Sequence, residues 1–354
     1  MSRKTLSLTV AGIALVLLVA LALIIPVPYV VMSPGITENV LGSFDGKPII
    51  VIDGHKTYPT TGHLNLTTVS VTSPQPELRL SDVISAWLDP NRIVLPRDVI
   101  YPPQQSVGQV EQQNRQEMVS SQSSAAASAM ILLGYHPLTL TIDKIEPGAP
   151  ADGVLHQGDT LKTVDGKVVN TDQQAVNAIQ AIPAKSTIRL GIVRGGKPLT
   201  KTLVTADDPQ KPGSSRVGVV LGERYTPPFT VSFNREVADQ IGGPSAGTMF
   251  SLAIYDMLTP GPLTDDRFIA GTGTMSVDGV VGPIGGIQQK MAGAYAEGAQ
   301  VFLSPKGDCK EALGSQYANK MELVQVTTLA SAIKAIKAIN AHHLAQVPRC
   351  GGTQ

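Results

Sequence analysis

The chain has 354 residues, enough for two or three domains of roughly 100–200 residues each. Its 28 basic and 28 acidic side chains cancel, and no basic stripe collects the positive ones, which argues against a nucleic-acid partner.

The first predicted element is an apolar helix near the N-terminus. Residues 5–31 carry no charge and follow Arg3 and Lys4. An uncharged run of more than about 18 residues can span a bilayer, and basic residues before it keep the N-terminus in the cytoplasm. We therefore expect residues 1–33 to form a single-pass anchor, with the rest of the chain exported. A cleaved signal peptide is the alternative, because Ala20-Leu21-Ala22 offers small residues at a suitable spacing.

Residues 34–126 predict a separate β/α segment after the anchor. Residues 48–52 and 64–71 are typical of strands, and the second run alternates as a half-buried strand does. Residues 81–89 predict a short amphipathic helix. A longer helix is indicated over 109–133, where glycine and proline are missing.

The next segment, residues 127–207, has a recognisable order of turns. The run EPGAPADGVLHQGDTLKTVDGKVV resembles a PDZ domain in its Pro-Gly, Gly-Asp and Asp-Gly landmarks. Such domains bind extended peptides at an open sheet edge, with backbone amides of a glycine-containing loop on the carboxylate. Gly134 and Tyr135 are the candidate residues of that loop. A rigid spacer domain without a working groove is the alternative.

Residues 208–215 predict a linker, and residues 216–340 a third domain. There, Gly242-Gly243-Pro244 precedes an apolar run over 246–258, typical of a buried helix that starts at a proline. Ser245 would lie at the N-terminus of this helix, where free amides and the helix dipole suit a developing oxyanion. A plain N-cap role for the serine is the alternative.

A lysine interrupts the apolar face of the following helix. After a hairpin turn at Asp278-Gly279, the stretch GGIQQKMAGAYAEG places Lys290 within the stripe of Ile287, Met291, Ala294 and Tyr295. Burial penalises the charged amine, lowers its pKa and so makes it a candidate general base for a serine hydroxyl. Alternatively, the lysine is at the surface or extends out of the stripe.

Cys309 and Cys350 are the two cysteines of the chain. In an exported protein an even pair most simply forms one disulfide, which would tie down the tail at residues 341–354; two unpaired thiols are the alternative. Cys350 with His342 and His343 has neither the number nor the spacing of ligands of a metal site, so we expect no metal and no cofactor.

Two motifs resemble the proteolytic domain of the Lon family of Ser-Lys proteases: GGPSAG at 242–247 and VGPIGGIQQKMAGAYAEGAQVFLSP at 281–305. The resemblance implies that Ser245 is the nucleophile, Lys290 the base and Thr272 a hydrogen-bonding partner of the lysine. It also implies that backbone amides around Gly243 and Ser245 hold the oxyanion. Gly242 departs from the family, in which many members have an acidic residue there.

The order of segments resembles that of the bacterial PDZ-containing Lon-like proteases. The expected fold is therefore a multidomain α+β chain, with a transmembrane helix, a β-rich PDZ-like domain and an α/β proteolytic domain. The resemblance implies a protease in the bacterial plasma membrane that acts on polypeptides and assembles into a ring, commonly of six subunits. No Gly-x4-Gly-Lys-Ser/Thr element for ATP occurs in the sequence.

Three functions remain open on the sequence. The first is an ATP-independent endopeptidase for unfolded or flexible exported polypeptides. The second is a catalytically silent scaffold, and the third a processing protease whose PDZ-like domain selects the target. A Ser-His-Asp triad is a further alternative, but the six histidines all lie outside the Lon-like motifs.

Overall fold

The computed structural model describes residues 3–75, 77–209, 211–234, 236 and 240–352. Its helices are α1 (Arg3–Ile24), α2 (Leu80–Trp87), α3 (Arg97–Ile100), α4 (Val107–Leu132), α5 (Asp172–Gln180), α6 (Gly247–Leu258), α7 (Ile287–Ala296), α8 (Cys309–Leu313) and α9 (Leu329–Asn340).

The strands, in chain order, are β1 (Pro26–Val27), β2 (Tyr29–Asn39), β3 (Ser43–Phe44), β4 (Lys47–Pro48), β5 (Ile50–Asp53), β6 (His63–Val71), β7 (Leu78–Arg79), β8 (Ile93–Pro96), β9 (Leu138–Ile145), β10 (Thr160–Val164), β11 (Lys167–Val168), β12 (Thr187–Arg194), β13 (Lys197–Val204), β14 (Ala206–Asp207), β15 (Ser215–Arg216), β16 (Val219–Tyr225), β17 (Thr230–Phe233), β18 (Phe268–Gly271), β19 (Thr274–Met275), β20 (Val281–Gly282), β21 (Val301–Pro305) and β22 (Glu322–Val326).

The largest α/β unit is built on a mixed sheet of order β22-β21-β18-β6-β2-β8. Strands β6, β18, β21 and β22 run parallel, and β2 and β8 extend the sheet antiparallel. Helices α4, α6 and α9 share one hydrophobic core with β6, while α7 and α8 belong to another with β21. The expected fold class, an α+β chain with a proteolytic α/β domain, is confirmed.

The predicted boundary at residue 126 is wrong. Strand β6 pairs in parallel with β18, from Phe268↔His63 to Gly271↔Leu66, so the N-terminal segment supplies the strand next to β18 in the mixed sheet. Helix α4 packs on α6 through Met118 and Ala125, which are fully buried. Residues 29–132 therefore fold with the C-terminal third, because side chains of both parts, such as Leu64, Met118 and Phe250, share one hydrophobic core.

The PDZ-like unit is inserted between these two parts. Its sheet has the order β13-β12-β10-β9-β16, with β11 paired to β10, around a separate core that includes Leu161, Leu190 and Ile192. The unit extends past the predicted limit of 207, because β16 pairs with β9 along its whole length. The sequence had placed β16 at the start of the proteolytic domain, and this assignment is also wrong.

Helix α1 covers the predicted apolar helix near the N-terminus. Within the described part of the chain, the window Ser7–Ile24 is long and apolar enough to cross a membrane, and none of it is buried against the rest of the protein. A signal sequence has the same length and composition.

The predicted disulfide is confirmed: Cys309, the first residue of α8, is bonded to Cys350. The bond joins the C-terminal tail to the core that contains α7.

Candidate active site

The site lies at the carboxyl edge of the parallel strands, where α6 and α7 approach from opposite faces of the sheet. Thr67 belongs to β6, and Thr272 directly follows β18, the neighbouring strand. Ser245 stands two residues before α6, and Lys290 lies in the first turn of α7. Carboxyl ends of adjacent parallel strands meet at one sheet edge, a common position for binding and catalytic sites in α/β folds.

Ser245 and Lys290, 45 residues apart in sequence, are in direct contact. The Lys290 Nζ atom lies 2.7 Å from Ser245 Oγ. Ser245 is half-buried, and it is not the N-cap of α6, because the helix starts at Gly247 with Ala246 before it. The predicted proximity of serine and lysine is therefore observed, and the N-cap alternative for Ser245 is wrong.

The lysine amine has two further partners. Lys290 Nζ lies 3.1 Å from Thr272 Oγ1 and 3.1 Å from the carbonyl oxygen of Thr67. Thr272 Oγ1 donates its own proton to the carbonyl of Ser245 at 3.0 Å, so toward the lysine it is an acceptor. A neutral amine has two protons and one lone pair. Its protons can go to Thr67 and Thr272, which leaves the lone pair facing the Ser245 hydroxyl.

The electrostatics favour this neutral form. Lys290 is 2 % exposed, and burial lowers the pKa of its amine to about 7. The carboxylate of Asp308 acts in the opposite direction and favours the charged amine, while burial raises the pKa of Asp308 itself. Near neutral pH a substantial share of the lysine can thus accept a proton, as general-base catalysis requires.

Helix α4 holds the segment before the serine. Ser121 donates to the carbonyl of Pro244 at 2.9 Å, and the amide of Gly243 donates to the carbonyl of Asn114 at 2.9 Å. A Cβ at Gly242 would lie 3.0 Å from the Asn114 Cβ, so a larger residue there would displace Asn114. The glycine that departs from the family pattern is explained by this close approach.

The predicted oxyanion role of Gly243 is not supported by this arrangement, because its N–H group is already donated to Asn114. Sequence reasoning missed Asn114, Ser121 and the Thr67 carbonyl. Backbone carbonyls carry no residue-type signal, and Ser121 lies in a serine-rich run of α4 whose polarity is typical of a solvated helix surface. The spacing of Ser121 from Met118 and Ala125, all on one helical face, was the available signal.

Gly134 and Tyr135 do not form a peptide-binding loop. Gly134, with φ of 85°, ends α4 in the left-handed conformation, and the Tyr135 amide donates to the Met130 carbonyl in a Schellman-type cap. The Tyr135 hydroxyl contacts His55 at 2.7 Å, and its ring packs on Phe229. The expected role fails because both the amide and the side chain are used inside the proteolytic domain.

A groove of about 390 Å³ lies instead between α5 and β16. Strand β16 ends the PDZ-like sheet, so one of its edges is open toward α5. The loop before it contains Gly218, which has φ of 77°, and a Cβ there would overlap Ala149. A glycine-containing loop, an open strand edge and a facing helix are the elements that peptide capture by strand addition uses.

The groove helix contacts the hairpin beside the active site. Thr171, the N-cap of α5, donates to Asp278 Oδ1 at 2.6 Å, and Gln174 donates to the same oxygen at 3.2 Å. Asp278 lies at the β19–β20 turn, six residues after Thr272. From β16, Glu223 accepts from the Asp172 amide at 2.7 Å, and burial raises the pKa of Glu223. Helix α5 of the PDZ-like groove is therefore hydrogen-bonded to the β19–β20 hairpin through Asp278.

Known metal sites need several ligating side chains in one place. Across the residues that the structure describes, no three or more His, Cys, Asp or Glu side chains group in this way.

Two family models match the chain. Residues 236–338 match the Lon protease (S16) C-terminal proteolytic domain, and residues 110–205 match the PDZ domain. The second match begins within α4, which packs on the proteolytic core.

Among curated relatives, the Lon protease of Elusimicrobium minutum is 39 % identical over 69 residues, which are 20 % of this chain and 8 % of that protein. Lon protease homolog 2, peroxisomal, of Caenorhabditis elegans is 28 % identical over 219 residues, 61 % of this chain and 26 % of that protein. This chain thus spans about a quarter or less of the length of these two relatives.

Among solved structures, the PDZ domain of the SdrC-like protein from Listeria monocytogenes aligns with a TM-score of 0.22 and 22 % identity, over 23 % of this chain and 85 % of that one. The two domain assignments come from the family models, and they agree with the Ser245 and Lys290 motifs in the C-terminal third. The chain combines a PDZ domain with a Lon-type proteolytic domain and is a PDZ-containing Lon-like protein.

Proposed function

We propose that this protein is a membrane-anchored, ATP-independent serine endopeptidase that uses a Ser245-Lys290 dyad to cleave unfolded or flexible exported polypeptides. The observation that carries the proposal is the contact of a buried lysine, whose pKa is lowered to about 7, with a serine hydroxyl 2.7 Å away. Structural roles rarely require a lysine with this burial, since its lost hydration costs stability.

In the proposed reaction the neutral Lys290 amine removes the Ser245 proton while Oγ attacks the peptide carbonyl carbon. The lysine, now an ammonium, gives that proton to the leaving amine as the C–N bond breaks, and an acyl-enzyme on Ser245 remains. Water then repeats the sequence with the same base and releases the acid. Thr272 and the Thr67 carbonyl keep the amine aimed at Oγ throughout.

The oxyanion is stabilised, in this proposal, by the Ser245 amide and the positive N-terminal end of α6. Helix α6 is 12 residues long and buried along most of its surface, so little water screens its dipole. Gly243 would contribute its amide only if the segment left Asn114, whose carbonyl now accepts that proton.

Membrane attachment rests on α1. A charge-free span after Arg3 and Lys4 favours a cytoplasmic N-terminus and an active site on the outer side of a bacterial plasma membrane. No ATP-binding motif occurs in the sequence, so we propose substrates that are already unfolded or flexible. A homo-oligomeric ring, commonly hexameric in similar proteases, is part of the proposal by resemblance alone.

The groove between α5 and β16 favours one variant of this function, a processing protease that selects targets by an extended peptide. The scaffold alternative is disfavoured, because a silent protein has no need to keep Ser245, Lys290 and Thr272 in mutual hydrogen-bonding distance.

The test uses the full chain in lipid nanodiscs, without ATP, and a permanently unfolded protein as substrate. Wild type, Ser245→Ala and Lys290→Ala are compared, with fragments read by mass spectrometry. Ser123→Ala and Lys310→Ala are matched controls, because both side chains are exposed and lie outside the site. We expect cleavage by wild type and controls, and a loss of about 10³-fold or more in both site variants. Cleavage by Ser245→Ala at the wild-type rate would disprove the proposal.

A further inference from the structure

Helix α2 exposes a continuous apolar stripe. Ile84, Trp87 and Leu88 occupy positions i, i+3 and i+4, so they lie on one face of the helix. Trp87 and Leu88 are each 80 % exposed. The opposite face, with Val83 and Ala86, is buried against the protein. We call Ile84, Trp87 and Leu88 the Trp87 surface.

The Trp87 surface begins where the apolar span ends. The Leu80 amide donates to the carbonyl of Ile25 at 3.1 Å, and β1 pairs with β7 directly after α1. Helix α2 also packs against α1. An eight-residue helix is about 12 Å long, so the whole surface lies within that distance of the end of the span.

We propose that the Trp87 surface inserts into the outer interface of the lipid bilayer. Tryptophan concentrates at membrane interfaces, where its ring contacts acyl chains while its N–H remains near water. The polar neighbours of the stripe fit this depth, because Ser85 and the Asp89–Arg92 ion pair would lie at headgroup level. The domain that contains Ser245 and Lys290 would then contact the membrane at two places, α1 and the Trp87 surface, and these two contacts would fix its tilt.

This inference rests on the proposed anchoring by α1, and the experiment separates the two. Trp87 is the sole tryptophan of the chain, so its fluorescence reports on this surface without any substitution. The full chain is reconstituted in vesicles of phosphatidylcholine and phosphatidylglycerol, some with lipids brominated close to the headgroup. Flotation of the vesicles after a carbonate wash measures anchoring independently.

The matched control moves the tryptophan away from the membrane. In a Trp87→Phe, Leu344→Trp variant the new tryptophan replaces an exposed leucine that follows α9. That region lies beside β22, which is at the opposite end of the sheet from β8. The two edge strands β22 and β8 are five strand spacings, or about 24 Å, apart. Both substituted side chains are exposed, so the fold should tolerate the exchange.

We expect Trp87 emission at shorter wavelength than that of an exposed tryptophan, loss of intensity with brominated lipid, and protection from acrylamide in the aqueous phase. The Leu344→Trp control should show none of these. A floating protein whose Trp87 is open to acrylamide and insensitive to bromine overturns the inference and leaves the anchor standing. If neither acrylamide nor brominated lipid reduces Trp87 emission, the Trp87 surface is covered by a second copy of the protein, and this result also overturns the inference. Protein that stays in the washed supernatant rejects anchoring and inference together.

Discussion

The Nζ atom of Lys290 lies 3.1 Å from the carbonyl oxygen of Thr67, 223 positions earlier in the chain. This contact joins the N-terminal segment to helix α7 and uses one of the two protons of a neutral amine. Because a carbonyl oxygen attracts the charged amine as well, its chief effect is orientation: it turns the lone pair of the lysine toward Ser245.

The rate of peptide cleavage should rise with pH through about 7 and level off above it, since burial lowers the pKa of Lys290 to about that value. Below the midpoint, kcat/KM should fall about tenfold per pH unit, because a single proton blocks the base. The measurement is kcat/KM for a fluorogenic peptide from about pH 5 to about pH 10. A rate that stays low near pH 7 and is still rising at about pH 10, toward the ordinary lysine pKa of about 10.4, would contradict burial of the amine.

Asp308→Asn should move that midpoint to lower pH. The Asp308 carboxylate favours the protonated amine, so its removal lowers the pKa of Lys290 further. Asparagine keeps an acceptor for the Ile284 amide, which now donates to Asp308 Oδ2 at 3.0 Å. Glu311→Gln, on the neighbouring helix, provides a control for loss of a charge nearby. An unchanged midpoint in Asp308→Asn would show that the carboxylate does not act on the lysine.

Lys290→Met should raise the resistance to unfolding while abolishing cleavage. In the folded protein the lysine has a pKa of about 7, and in the unfolded chain about 10.4. The unfolded chain therefore binds more protons between these values, and the cost of the lysine is full below pH 7 and fades as pH rises toward 10.4. Replacing buried ionic groups by well-packed apolar side chains is often neutral or stabilising by up to roughly 4 kcal/mol, and we expect Lys290→Met to lie in the stabilising part of that range.

Thermal midpoints of Lys290→Met and wild type, measured at about pH 6 and about pH 9, check this prediction, and the gain should be larger at the lower pH. Lys310→Met, at an exposed position, is the control. A variant that is less stable than wild type at the lower pH would mean that the hydrogen bonds of Lys290 outweigh its desolvation.

Asp278→Ala should uncouple the PDZ-like groove from the candidate active site, since it removes the acceptor through which Thr171 and Gln174 contact the β19–β20 hairpin. We expect C-terminal peptides that bind the groove to change kcat/KM of the wild type, within the roughly 5–150-fold range common for coupled sites. In the Asp278→Ala variant, the same peptides should still bind the groove with the wild-type affinity but should no longer change kcat/KM. Glu111→Ala, at an exposed position of α4, is the control for loss of a carboxylate.

Coupling that survives intact in Asp278→Ala would place the communication elsewhere. The comparison requires peptide binding and cleavage to be measured on the same preparation, by calorimetry and by fluorogenic turnover.

The sequence by itself determined the local features of this protein. The Gly-Gly-Pro break before an apolar run predicted the helix of Ser245, and Lys290 was conspicuous because it lies within an apolar stripe at helical spacing. The cysteine pair and the turns of the PDZ-like unit were likewise encoded by residue type. Each of these signals works over a few helical turns or one hairpin, so neighbouring residues suffice to recognise it.

Only the tertiary structure decided which segments complete the site. Strand β6 brings the Thr67 carbonyl to the lysine, and α4 occupies the amide of Gly243 through Asn114. The tertiary structure also showed that Gly134 caps helix α4 and that the open edge of the PDZ-like sheet lies at β16. Nearly every residue has the same backbone donor and acceptor, so the type of side chain does not indicate which backbone group forms a contact. Parallel pairing also joins strands about 200 positions apart, which a pattern of neighbouring residues cannot reveal.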